Sequence, residues 1–148
     1  MATVTLELTP TVFDVLSFNL MRGYLDLSAD TVKAALSNTP PEKTLETLSQ
    51  ITQISGGGYT SGGYAVTISA LTKQEGASEL ILADTTITAG SGGTGNFRYV
   101  VIYDDTPTSP ADPLMIWFDL GAEYSLAQGQ TIKLDFGEYA IRLAVNAE

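Results

Sequence analysis

Three carboxylates fall within nine residues in the run Asp104-Asp105-Thr106-Pro107-Thr108-Ser109-Pro110-Ala111-Asp112. Clustered carboxylate oxygens are what Ca²⁺ takes as ligands, but the EF-hand spacing is missing. An exposed, proline-stiffened connection accounts for the same residues. Paired carboxylates also run glycoside hydrolysis. The pairs on offer are Glu75 with Glu79 and Asp104 with Asp119. Neither carries a supporting pattern, and solvated surface is the simpler account. Tyr59, Tyr64, Tyr99, Tyr103, Tyr124 and Trp117 could line a sugar-stacking platform, although most sit in alternating strand patterns that turn them inward. Tyr59 is the exception, because it lies in a glycine-rich stretch. Gly90-Ser91-Gly92-Gly93-Thr94-Gly95 matches G-x-G-x-x-G letter for letter. A dinucleotide site needs a helix after that motif. The strand-like Phe97–Tyr103 follows instead, so a glycine turn is expected.

Composition narrows the chemistry further. The chain of 148 residues has no His and no Cys. That excludes a Ser-His-Asp triad, a His- or Cys-ligated metal, a thiol nucleophile and a disulfide framework. Neither an enzyme activity nor a cofactor is expected. Seven basic against 17 acidic residues give a net charge of −10. The basic residues are scattered, which argues against nucleic acid and anionic membranes as partners. The first residues show no basic and apolar leader pattern, and no apolar run approaches the ~20 residues of a spanning helix. With 44% hydrophobic and 16% charged residues, there is material for a core.

The elements that must position these residues read mainly as strands. Val4, Leu6 and Leu8 alternate with Thr5 and Glu7, and Pro10 ends that run. Residues 12–22 read as a helix entered at Thr11, with Val12, Leu16 and Leu20 on one face and Phe18 and Met21 off it, either covered by the fold or a second contact surface. Residues 31–37 alternate as a strand. Thr39-Pro40-Pro41-Glu42 is a helix start by its capping pattern, with Leu45, Leu48 and Ile51 following. Residues 56–63, rich in glycine, read as a flexible loop or arm. Strands then follow at 64–71, 79–83, 85–89, 97–103, 114–120, 131–136 and 139–145, with 97–103 central because both its faces are apolar. In the last strand Tyr139, Ile141, Leu143 and Val145 point inward. About eight strands with frequent turns predict a single-domain antiparallel β-sandwich or jelly-roll-like barrel with two short helices near the N-terminus. Residues 1–10 form an N-terminal strand or arm, and residues 11–148 form the β-sandwich domain.

In segment order the chain resembles small structural proteins of tailed-bacteriophage virions. The resemblance rests on "TVKAALSNTPP" (Thr31–Pro41), "LSQITQISGGGYTSGGYAVT" (Leu48–Thr67), "ILADTTITAGSGGTGNFRYVVIYDDT" (Ile81–Thr106), "DPLMIWFDLG" (Asp112–Gly121) and "SLAQGQTIKLDF" (Ser125–Phe136). It spans residues 12–145, and the first ten residues stand outside it. The resemblance implies a capsid decoration (cement) protein. Such a protein binds the outer face of the major capsid protein lattice and stabilises the head, as a homo-oligomer with a trimer favoured. It is made in the host cytoplasm and resides on the outer capsid surface, where its acidic charge is kept from packaged DNA. Val4, Leu6, Leu8 and Tyr59 are the expected capsid or subunit contacts, the first three through strand addition to a neighbouring sheet edge. A tail, fibre or baseplate component is the alternative, and a carbohydrate-binding module a more distant one.

Overall fold

The structure is a computed structural model that describes residues 4–144; Val145 and the side chain of Val4 lie outside the described residues. In chain order it runs β1 (Val4–Glu7), β2 (Pro10–Val12), α1 (Val15–Arg22), β3 (Val32–Ser37), β4 (Tyr64–Val66), β5 (Ile68–Gln74), β6 (Ala77–Leu82), β7 (Thr85–Thr88), β8 (Asn96–Asp104), β9 (Leu114–Ser125), β10 (Thr131–Asp135) and β11 (Ile141–Ala144). The protein is mainly β. Its strands make one five-stranded sheet, β2-β9-β8-β3-β4, and two three-stranded sheets, β1-β10-β7 and β11-β6-β5. No barrel closes among the described residues, which corrects the jelly-roll-like alternative. The outer strands of the large sheet, β2 and β4, pair neither with each other nor with the smaller sheets.

Strand β8 lies at the middle of the large sheet, as its two apolar faces require. One face joins the main core. There Ala34, Leu36, Val100, Ile102, Ile116 and Phe118 meet Leu80, Ile87, Ile132, Leu134 and Ile141 from the two smaller sheets. Phe118 and Phe136 pack with ring centroids 5.3 Å apart. The other face carries Ala35, Tyr99, Val101, Tyr103, Leu114 and Trp117, covered by Phe13, Leu48 and Ile51. Two bulges between β8 and β9 shift the alternation. One lets Phe97 and Val100 share the main core despite their odd spacing; the other does so for Met115 and Ile116.

Among the described residues only one α-helix forms, so the expectation of two is corrected. Residues 39–55 run as an irregular segment with a 3₁₀ turn at Leu48–Gln50. The physical reason is competition for main-chain groups. Leu114 N–H donates to Glu46 O at 2.9 Å, and Leu48 N–H donates to Asp112 O at 3.0 Å. Thr47 bridges Pro113. Main-chain groups committed to β9 cannot complete helical i→i−4 bonds. Leu48 and Ile51 act as plugs over the second core.

Helix α1 starts later than its sequence pattern predicts. Thr11 and Val12 pair with Trp117 and Ile116 as part of β2. Phe13 is then buried against Trp117 at 4.6 Å. Gly23, left-handed at φ 75°, closes the helix and donates to Leu20 O.

The run 64–71 divides between two sheets. β4 pairs with β3, and β5 with β6. In β11 only Ile141 is buried, while Leu143 is exposed and Tyr139 lies just ahead of the strand with its ring partly in solvent. The inward placement read for Tyr139 and Leu143 is therefore corrected. β11 lies at the edge of its sheet, where Leu143 lines a surface groove and is 53% exposed.

Candidate functional site

The residues expected to make outside contacts sit mostly within the fold. β1 has a partner in its own chain: it pairs in parallel with β10, Leu6 opposite Leu134 and Glu7 opposite Asp135. Leu8 N–H continues the ladder to Asp135 O at 3.0 Å. Leu8 is buried in the main core, and Leu6 packs against it, half-buried. The side chain of Val4 lies outside the described residues.

Tyr59 is buried as well. Its hydroxyl donates to Gln53 Oε1 at 2.6 Å and accepts from Leu36 N–H at 3.2 Å. Burial is the main cause that raises its pKa to about 12. The glycine-rich stretch around it is docked. Gly58 N–H donates to Gly93 O at 2.7 Å, and Gly90 N–H donates back to Gly58 O at 3.0 Å. A Cβ on Gly58 would stand 2.8 Å from Gly93 O and closer still to Gly90 O. The two glycine clusters thus pack backbone on backbone, which only residues without Cβ permit.

The candidate carboxylates are occupied elsewhere. Asp119 takes a two-pronged bond from Arg98, at 2.8 and 3.2 Å, and the guanidinium holds its carboxyl below the usual range. Glu79 pairs with Arg142 at 3.3 Å and accepts from Gln74 at 2.8 Å. Asp105 pairs with Lys33 at 3.4 Å. Among the described residues no group of three or more acidic side chains is placed to hold a metal ion. Asp104 behaves differently from its neighbours. It is fully buried, and burial followed by contact with the Asp30 carboxyl raises its pKa to about 7.

Of the aromatics proposed as a platform, Tyr59, Tyr99, Tyr103 and Trp117 are buried, and Tyr64 and Tyr124 are half-buried. Burial also raises the Tyr103 pKa, and its hydroxyl donates to Gly62 O at 2.5 Å. The four buried rings pack the interior and do not present a stacking face.

The exposed apolar groups lie elsewhere. Phe18 and Met21, on α1, are 56% and 88% exposed. Arg22 lies over the rings of both Phe18, at 5.8 Å, and Tyr24, at 5.2 Å, and donates to the Tyr24 hydroxyl at 2.8 Å. Helix α1 borders two grooves. Leu20 lines one of about 240 Å³ with Leu25, Leu27, Leu71 and Leu143. Val15, Phe18 and Asn19 line the other, of about 220 Å³, with Tyr24 and Pro110. Asn19 is buried there, and its Nδ2 has no hydrogen-bond partner.

The sequence sets Phe18 and Met21 off the α1 apolar face, and the favoured expectation that the fold covers them is corrected by their exposure. Leu143 alternates with the buried Ile141 and so reads as a core residue, whereas Leu71 falls out of phase with Ile68 and Ala70, on the exposed side of β5. Comparison with protein-family models, with curated proteins and with solved structures finds no match for the chain.

Proposed function

We propose that this chain is a decoration (cement) protein of a tailed-bacteriophage head, bound to the outer surface of the major capsid protein lattice. Its large sheet and two smaller sheets act as the two layers of a sandwich, antiparallel as expected except for the parallel β1–β10 pair, a rigid block that spans subunit boundaries. The observation that carries the reading is the α1 ridge. Phe18, Met21, Arg22 and Tyr24 stand together at the surface beside two grooves, one walled mainly by leucines and the other of mixed polarity. Aromatic residues, Met and Arg are the types enriched where proteins bury contact area. The segment-order resemblance to virion structural proteins and the net charge of −10 support the same reading. A protein that binds only the assembled lattice stabilises it by mass action. No catalysis and no cofactor enter this role, and the chain acts as a homotrimer at three-fold positions of the shell.

The test is binding of the purified full chain to purified heads stripped of it. Saturable binding with heads that survive more heat supports the proposal. No binding to heads, with binding to tails or to a glycan array, favours the tail or carbohydrate alternatives.

A further inference from the structure

Asp104 ends β8 with no exposed surface. Its backbone N–H donates to Pro113 O at 3.0 Å, and its Oδ1 accepts the Thr106 N–H at 3.0 Å. Its Oδ2 is buried and meets no donor. Val32 stands opposite Asp104 in the β3–β8 register and Thr31 N–H donates to Thr106 Oγ1, which brings the preceding residue, Asp30, with its carboxyl to the Asp104 side chain. Asp30 is held in place by the Asp26 N–H, which donates to Asp30 Oδ2 at 2.9 Å. Asp30 is half-buried and Asp104 fully buried, and two carboxylates in contact with one of them out of water do not both stay ionised. A proton between them turns repulsion into an O–H···O bond and satisfies the orphan oxygen.

We propose that Asp30 and Asp104 share one proton in the folded protein, and that this bond is a clasp holding the 26–31 segment onto the end of β8, released when the proton leaves. The surrounding charges favour the shared proton. Asp105, next in the chain, repels a second charge on Asp104. Lys33, on the adjoining β3, is turned to Asp105 at 3.4 Å. Asp112, across the same loop, is also held above the usual carboxylate range by burial and by Asp105. Asp26 accepts from Ser28, and the neighbouring Tyr103 hydroxyl donates to Gly62 O.

The clasp is backed by neutral bonds. Thr31 N–H donates to Thr106 Oγ1 at 2.8 Å, and Asp105 N–H donates to Thr31 O at 2.8 Å. The held segment shapes two concavities. Asp26 and Leu27 line the groove beside α1, and Leu27, Ser28, Asp30 and Thr31 line another. Release of the clasp therefore reshapes surface on both sides of the segment.

The sign follows from linkage. An Asp pKa higher in the folded than in the unfolded protein adds stability at low pH. That stability is lost as pH rises, and is gone above about 7. The test is hydrogen exchange of the full chain at about pH 5.5 and about pH 8.5, corrected for intrinsic rates, with the Thr31 amide as reporter. Expected is a loss of protection of about tenfold or more at the higher pH. Asp104→Asn, whose amide can donate to the Asp30 carboxylate at any pH, should remove that dependence. Equal Thr31 protection at both pH values overturns the proposal. A carbon-detected titration of the wild-type Asp104 carboxyl covers the case of a variant that does not fold; titration in the ordinary carboxylate range overturns the proposal too. Low-pH protection that vanishes on chelation overturns it in favour of a bound cation.

Discussion

Gly58→Ala separates a docked glycine loop from a free one by the sign of its effect. The backbone at Gly58 is not in the left-handed region, so alanine meets no conformational penalty there. In a free loop the change would reduce unfolded-state entropy and stabilise the protein by about 0.4–1 kcal/mol. In the docked loop the new Cβ lands 2.8 Å from Gly93 O and nearer still to Gly90 O, both backbone atoms with little room to yield. Overpacking of that kind costs about 1–3 kcal/mol. The two reciprocal Gly58 bonds, at 2.7 and 3.0 Å, stretch as the loops part. Each is worth about 0.5–1.5 kcal/mol. The expected net loss is about 2–4 kcal/mol. Gly129→Ala is the control: its φ is +81° and no atom lies within 4 Å of the added Cβ. It carries only the left-handed penalty of about 1–2 kcal/mol. Urea unfolding with a common slope reads both. A Gly58→Ala protein as stable as the wild type, or more stable, refutes the docked loop.

Tyr59→Phe should destabilise by about 1–3 kcal/mol in urea unfolding, because it leaves the buried Leu36 N–H without its acceptor; an unchanged midpoint would return Tyr59 to the surface. Met21→Glu, at a position 88% exposed, should leave the melting temperature nearly unchanged and reduce occupancy on heads at least tenfold. Normal occupancy removes α1 from the contact surface. The Arg98–Asp119 pair, with both side chains over a third exposed, should contribute little, and less as salt is raised. Because Arg98 lowers the Asp119 pKa, that contribution is present at neutral pH and is lost as pH falls through the folded value. A pH-independent difference between wild type and Arg98→Ala would contradict it.

The strands were legible where one face is buried, since Ile132, Leu134 and Phe136 repeat every second residue and all three are buried. The central place of β8 followed from apolar residues on both its faces. The segment 39–55 was not legible in the same way. Its capping pattern is local, whereas the bonds that Glu46 and Leu48 make to Leu114 and Asp112 are not. Glycine clusters read alike whether free or docked, because what docks each one is the other cluster's backbone. The division of 64–71 turns on which sheet each half joins, and that choice leaves no mark on the alternation. Asp104 was visible as a carboxylate but not as a buried one. The clasp around it joins segments as far apart as Thr31 and Thr106, 75 residues along the chain.

A density map of the virus particle that carries this chain tests its role most directly. Density matching three copies of this three-sheet fold is expected at three-fold positions on the outside of the head. The α1 ridge of Phe18 and Met21 should face the capsid lattice. Density for the fold in the tail, or on the head with α1 turned to solvent, would contradict it.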